Sequence, residues 1–285
     1  MFPLVAIIVL NFNGRTCLLP CLQSLQGLSY SNFFVVVVDN ASSDHSLEDA
    51  EAQFPEHAYL KNEKNMGFAG GMNIGMAEAF GRGAEWVWLF NNDALSTETA
   101  LTELISVATS RLTLGLASPI VRDRDTLTPW FEKGRIDWLR MRALHSSPSQ
   151  GERAQEAYPS DFLTGCALLV KKGLYEKIGG FDERFFLYYE DVDLSLRARQ
   201  AGFEVLVISK AVVTHSEQSA TSKQKLYYLV LSGLFFFQKH QSFWQKPYYA
   251  FYLIARRIKN SSDVWLGKPS ALSVKQAYNN FLHGN

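Results

Sequence analysis

Cysteine is scarce in this 285-residue chain: only Cys17, Cys21 and Cys166 occur. An odd count without framework spacing excludes a disulfide scaffold and points to a reducing compartment. Cys17 and Cys21 lie one helical turn apart, which suits packing. There is no CxxC pair, and two cysteines alone do not make a zinc site. Neither charge sign is in excess, because 28 Lys and Arg balance 28 Asp and Glu. Zero net charge argues against a protein held to nucleic acid by phosphate attraction. No apolar run reaches the ~20 residues of a membrane-spanning helix. The first residues show neither a basic n-region nor a small-residue cleavage site, so a cytoplasmic protein is expected. GxGxxG spacing and a GK[ST] loop are also missing, as are internal repeats and low-complexity tracts.

The 47% of hydrophobic residues is ample for one large domain, or one domain plus an appendage. The most informative stretch is Phe181 to Arg199, FDERFFLYYEDVDLSLRAR. An aromatic run, Phe185 to Tyr189, leads into Glu190, Asp191 and Asp193. Leu194, Arg197 and Ala198 follow at helical spacing, so the acids fall in the first turn of a helix, where the dipole favours negative charge. Asp193 can meet Arg197 at i, i+4. Taken alone this is a capped surface helix; the aromatic lead-in instead sets the acids against an apolar wall.

Upstream, Leu4 to Leu10 and Phe33 to Val38 read as buried parallel strands, with a helix on Leu18, Leu22 and Leu25 between them. The second strand ends in Asp39, Asn40 and a Ser-rich loop. Ligands bind at that edge of open α/β sheets. Tyr59 to Lys61 is a third candidate strand. It runs into Asn65, Gly67 and Asn73, a glycine-rich stretch that lets backbone approach a ligand and opens a helix. Trp86 to Phe90 is the next strand and ends in Asn91, Asn92 and Asp93. A carboxylate there suits a divalent metal or a ribose hydroxyl. A helix on Leu101, Leu104, Ile105 and Ala108 and a strand at Leu116 to Val121 complete the pattern. Strand–helix alternation predicts an α/β fold with a mostly parallel central sheet flanked by helices.

From Arg122 to Pro159 the pattern degrades around two short candidate strands, Trp130 to Glu132 and Arg135 to Leu139. Specificity for a second substrate is expected here. Phe162 to Val170 reads as a buried strand. A helix at Lys172 to Ile178 ends on Gly179 and Gly180. Gly202 caps the acidic helix, and strands at Val205 to Ile208 and Ala211 to Thr214 precede His215. Residues 222 to 265 read as two amphipathic or buried helices with aromatics beside Lys and Arg. Such helices suit a membrane interface, packing on the domain, or a second subunit of a homodimer.

The segments VAIIVLNFNG, VVVVDNASSD, NMGFAGGMNIG, LFNND and GGFDERFFLYYEDVDLSLRARQAGF occur here in the order seen in inverting GT-A glycosyltransferases of family 2 type. Over about residues 4 to 217 the chain resembles the bacterial rhamnosyltransferase-like branch. The resemblance implies a GT-A domain at 1–221, with a nucleotide-binding half at about 1–121 and an acceptor-binding half at about 122–221. A C-terminal aromatic helical extension at 222–285 follows. It also implies Mg²⁺ or Mn²⁺ as cofactor and a dTDP- or UDP-sugar as donor. The acceptor would be a glycan or lipid-linked glycan in cell-envelope polysaccharide biosynthesis. Rhamnose from dTDP-rhamnose is the expected sugar, and a UDP-hexose or UDP-furanose the alternative.

By position, Asn11 and Asp39 resemble the base-recognition residues, with Asn40 beside them. Asn65, Gly67 and Asn73 resemble the loop that meets the nucleotide and sugar. Asn92 and Asp93 end the family's DxD-type motif, in which Asn91 replaces the first acid. That replacement lowers the charge offered to a metal. His215 resembles a histidine that completes metal binding. Asp191 resembles the base, kept ionised by the helix N-terminus, and Glu190 and Asp193 would position it or the acceptor. Peripheral membrane contact through 222–260 on the inner face is compatible with such an acceptor.

Two other readings remain. A nucleotidyltransferase needs a basic, glycine-rich triphosphate loop near the first strand, whereas Asn11 to Arg15 holds one Arg and one Gly. A non-catalytic nucleotide-sugar-binding module would fit loss of acids, as at Asn91, but Glu190, Asp191 and Asp193 are retained.

Overall fold

The structure is a computed structural model that describes residues 2–216 and 222–283. The apolar N-terminal runs become strands: β1 at Val5–Asn11, then α1 at Leu18–Gln26, β2 at Phe33–Asp39, α2 at Ser46–Gln53 and β3 at Ala58–Lys61. The glycine-rich stretch becomes α3 at Gly67–Gly81. β4 at Trp86–Asn91, β5 at Ala94–Ser96, α4 at Ala100–Ser110 and β6 at Leu114–Asp123 follow. The irregular region holds β7 at Pro129–Phe131, β8 at Lys133–Asp137, β9 at Arg142–Ser146, α5 at Gln150–Arg153 and β10 at Ala157–Pro159. Next come β11 at Ala167–Lys171, α6 at Lys172–Ile178, α7 at Glu190–Gln200 and β12 at Glu204–His215. The chain closes with α8 at Lys223–His240, α9 at Lys246–Trp265 and α10 at Ala271–His283.

The main sheet runs β10-β12-β6-β11-β4-β1-β2-β3. β4, β1, β2 and β3 pair in parallel, as expected of strands buried on both faces. Their residues Val5 to Val9 and Val35 to Val38 are buried. β11 runs antiparallel to both β4 and β6, while β12 is parallel to β6. The strands β12, β6, β4, β1, β2 and β3 therefore all run parallel, and β11 and the short strands β10, β5 and β7 are reversed. None of the described helices is long and apolar enough to cross a membrane.

Three local expectations change. Phe162 to Val170 is a strand only from Ala167, because residues 162–166 turn toward the acidic helix. The two strands expected before His215 are one, with a register shift between Ile208 and Val212. Residues 222–265 do contain two long helices, but the third, α10, was not legible. The expected boundary at residue 221 lies outside the described residues.

The glycines of α3 serve packing. A Cβ at Gly75 would strike Ile8 and Val38, so this glycine lets the helix settle on β1 and β2. Gly67, at φ 73°, opens the helix, and a side chain there would meet the Phe186 carbonyl.

Candidate active site

At the carboxyl ends of β1 and β2, Asn11 and Asp39 face each other across the parallel register. Asn11 Nδ2 donates to Asp39 Oδ1 and to Ser46 Oγ, both at 2.8 Å. Ser42 donates its backbone N–H to Asp39 Oδ2 at 2.9 Å and its hydroxyl to Oδ1 at 2.5 Å. Asn92 Nδ2 donates to Asn11 Oδ1 at 2.9 Å. This buried network joins the loop after β2 to the turn after β4, where Asp93 sits. Asn40 is also buried; its amide donates to Gly67 O and accepts from Asn62 Nδ2. Asn65 Oδ1 accepts the Gly67 N–H at 2.8 Å, which fixes the entry to α3.

β12 delivers His215 to Asp93. The antiparallel pairing of β12 with β5 sets His215 opposite Ala94, one residue after Asp93. His215 Nε2 then lies 3.1 Å from Asp93 Oδ1. Asp93 Oδ1 and His215 Nδ1 are nevertheless buried without hydrogen-bond partners. Asp93 Oδ1, left without a hydrogen bond, and the adjacent His215 Nε2 are close enough to share a cation. Among the described residues no third His, Cys, Asp or Glu joins them. That matches Mg²⁺- and Mn²⁺-type sites, where one or two side chains share the ion with waters and phosphate oxygens.

Asp93 and His215 open into a cavity of about 510 Å³ whose other wall includes Glu190 and Asp191. The αL conformations of Tyr188 (φ 68°) and Tyr189 (φ 67°) turn the chain sharply into α7 and aim its first acids inward. Asp191 Oδ2 accepts the Gly165 N–H at 2.9 Å and Oδ1 accepts the Val192 N–H at 2.8 Å. Burial raises the Asp191 pKa above its ordinary value. The amides of Gly165 and Val192, and the field of His145, offset only part of that rise. Desolvation outweighs the amides, so the helix start, expected to keep this acid ionised, works against burial and offsets only part of its effect. Glu190 is pushed up further, first by burial and then by the charge of Asp191. Its Oε2 is buried without a partner. Of the two, Asp191 ionises first.

The remaining expected residues lie elsewhere. Asn73, expected at the donor, instead brackets the backbone of Phe181, donating to its O at 2.9 Å and accepting from its N at 2.8 Å. It also donates to Glu183 Oε1. Both amide atoms are thus used to tie α3 to the segment before the acids. Asp193, expected beside the base, points away from the cavity. Fully buried, it accepts from Arg197 Nε at 2.7 Å and His240 Nε2 at 2.7 Å and pairs with Lys239. Burial would raise its pKa, but those three partners hold it below the ordinary value. Its i, i+4 pair with Arg197 is as expected. In the aromatic run, Phe185 is core and Phe186 stacks on Tyr228 at 4.8 Å, whereas Leu187, Tyr188 and Tyr189 line the cavity.

Trp130, His145 and Lys225 also line the cavity, and the sequence assigned none of them a role of its own. Trp130 packs on His215 at 4.7 Å and on His145 at 4.9 Å. Lys225 enters from α8. No local signal marks them, since each arrives through long-range packing.

The sheet, the reversed β11 and the cavity at the strand ends define a glycosyltransferase of the GT-A fold. The chain belongs to glycosyl transferase family 2, whose profile matches residues 6–179. It is 26% identical over 237 residues to the N-acetylglucosaminyl-diphospho-decaprenol L-rhamnosyltransferase of Mycobacterium tuberculosis, covering 75% of this chain and 77% of that one. It is 28% identical over 210 residues to galactofuranosyltransferase GlfT1 of Mycolicibacterium smegmatis, covering 70% and 66%. Among solved structures, GalNAc-T7 with UDP, GalNAc and Mn²⁺ superposes with a TM-score of 0.69 at 15% identity, over 81% of this chain and 47% of that one. The mannosyltransferase PcManGT from Pyrobaculum calidifontis, in complex with GDP-Man and Mn²⁺, gives 0.64 at 17% identity over 99% and 88%. At those identities the likeness is one of fold.

Proposed function

We propose that this protein is an inverting rhamnosyltransferase. It would move rhamnose from dTDP-rhamnose to a hydroxyl of a lipid-linked glycan in envelope polysaccharide biosynthesis, at the cytoplasmic face of the membrane. The observation that carries the chemistry is the meeting of Asp93, His215 and Asp191 in one cavity of about 510 Å³. The sugar and the acceptor class rest on the similarity to the mycobacterial rhamnosyltransferase. In this reading residues 1–221 are the transferase unit, with donor and acceptor halves meeting near residue 121, and 222–285 an extension.

In the proposed reaction Asp191 takes the proton of the acceptor hydroxyl. The acceptor oxygen forms a bond to the anomeric carbon as the bond from that carbon to the diphosphate oxygen breaks. The nucleoside diphosphate leaves with the electron pair, and attack from the opposite side inverts the centre. The Gly165 and Val192 amides hold the Asp191 carboxylate in place. Its raised pKa makes it a stronger base than an exposed aspartate. Glu190, protonated to higher pH, stands beside it as a hydrogen-bond donor to the acceptor. Asp93 and His215 would hold a divalent cation, which supplies positive charge to the departing diphosphate. Asn11 and Asp39 shape the floor that receives the base, with Asp39 accepting from its N3–H.

A UDP-furanose donor is the second reading, supported by the 28% identity to the galactofuranosyltransferase. Incubation with dTDP-rhamnose, UDP-galactofuranose and UDP-hexoses in the presence of Mn²⁺ separates the two. The expected result is nucleoside diphosphate release with dTDP-rhamnose and a polyprenyl-diphosphate-linked N-acetylglucosamine acceptor. Turnover with a UDP-sugar alone would overturn the donor assignment.

A further inference from the structure

We infer that the outward face of α9 is a docking surface for the anionic headgroups of a lipid bilayer. The inference deepens the membrane-side reading above by naming the face and the lipid charge, and its test uses no sugar. Within α9 only Tyr249 and Asn260 are buried. Tyr249 donates its hydroxyl to Leu234 O, and Tyr248 and Tyr252 donate theirs to the Leu139 and Arg140 carbonyls, so one side of the helix is clamped. The other side presents Phe251, Ile254, Ile258 and Trp265. At about 100° per residue these fall within an arc of roughly 60°. They are 68%, 58%, 65% and 85% exposed. A surface helix of a globular protein normally turns such a stripe inward. Here it faces out, and Phe243 and Trp244 extend it beyond the helix start.

Charge decides what covers it. Residues 222–285 hold nine Lys and Arg against one acid, Asp263, a net of +8, so the first 221 residues carry −8. Asp263 is itself paired with Lys259 and Lys268. By helical spacing Lys246 and Arg257 flank the stripe on one side and Lys259 on the other. A second copy of this chain would bring like charge against like across an isologous contact. An anionic bilayer complements the face, takes the aromatics at its interface, and repels the acidic body, which fixes the orientation. The docked unit also reaches the cavity through α8. α8 places Lys225 and Leu229 in its wall, and Lys239 and His240 grip Asp193.

The test is co-sedimentation of the full chain with vesicles of phosphatidylcholine alone, or of equal phosphatidylcholine and phosphatidylglycerol. The protein is expected to pellet with the anionic vesicles only, and high salt is expected to weaken binding. Replacing Lys246 and Arg257 together with Gln should lower partitioning by about tenfold or more. Phe251→Ser with Ile258→Ser should do the same while circular dichroism stays unchanged. Absence from anionic vesicles, or wild-type partitioning by both variants, would overturn the inference. So would a dimer in sedimentation equilibrium that the Phe251→Ser, Ile258→Ser variant dissolves, because the face would then be an interface between copies. Sugar transfer assayed with a water-soluble acceptor is untouched by any of these outcomes.

Discussion

Asp93 Oδ1 stands 3.1 Å from His215 Nε2, and neither atom spends itself on the other in a hydrogen bond. In the proposed reaction this carboxylate and imidazole, beside the cavity, would share a divalent cation. The β12–β5 pairing that creates it joins residues 94–96 to residues 213–215, so these distant stretches of chain must be folded together before the pair exists.

The first prediction concerns that pair. Thermal stabilisation by a nucleoside diphosphate should grow when Mn²⁺ is added to the wild type. Asp93→Asn and His215→Ala should each remove the Mn²⁺-dependent part and leave the metal-free part. A melting-temperature series with and without EDTA reads this directly. Undiminished Mn²⁺ dependence in both variants would exclude the pair as the metal site.

Asn73→Ala should behave as a stability variant. It deletes three hydrogen bonds to the segment before α7 and strands the buried backbone polar groups of Phe181, a loss of about 1–3 kcal/mol. Urea denaturation should show the loss, while the KM for the donor stays within about threefold of wild type. A donor KM raised a hundredfold at unchanged stability would restore Asn73 to the binding site.

Glu190 and Asp193 should leave opposite signatures on stability against pH. The folded pKa of Glu190 is raised, so the folded state binds the extra proton, and stability falls as pH climbs from about 4 toward that folded value. Glu190→Gln should therefore melt higher than wild type, with a gap of a few degrees that widens as pH rises above the ordinary glutamate value. The folded pKa of Asp193 is depressed, so its contribution is complete above about pH 4 and is lost as pH falls through the folded value. Asp193→Asn should flatten the acid side of the profile. A pH-independent gap for Glu190→Gln would contradict the burial argument.

Much of this frame could be read in advance. The runs Leu4 to Leu10, Phe33 to Val38 and Trp86 to Phe90 are short, β-branched or aromatic and bounded by Asn, Asp and Gly, so only a buried strand satisfies them. The acids at 190, 191 and 193 were placed in a helical first turn by spacing alone, and they lie there. What escaped was non-local. An apolar run such as Phe162 to Val170 looks the same whether it pairs as a strand or bends to offer the Gly165 amide to Asp191. Asn73 reads as a loop residue beside a ligand until Phe181, far along the chain, takes both ends of its amide. The pattern at 190–193 gives three acids equal standing, and only packing separates Asp191 in the cavity from Asp193 among Arg197, Lys239 and His240. Trp130 and His145 come from the stretch 122–159, where the degraded pattern marks a region for a second substrate but not the individual side chains that line the cavity.

The most direct test of the account is rhamnosyl transfer from dTDP-rhamnose to a polyprenyl-diphosphate-linked N-acetylglucosamine, followed by mass spectrometry for the wild type and Asp191→Asn. The asparagine keeps size and shape but cannot take a proton. Transfer by the wild type, and a fall in kcat of about 10²–10⁴ in a variant that still binds donor, is the predicted result. Near-wild-type transfer by Asp191→Asn would contradict it.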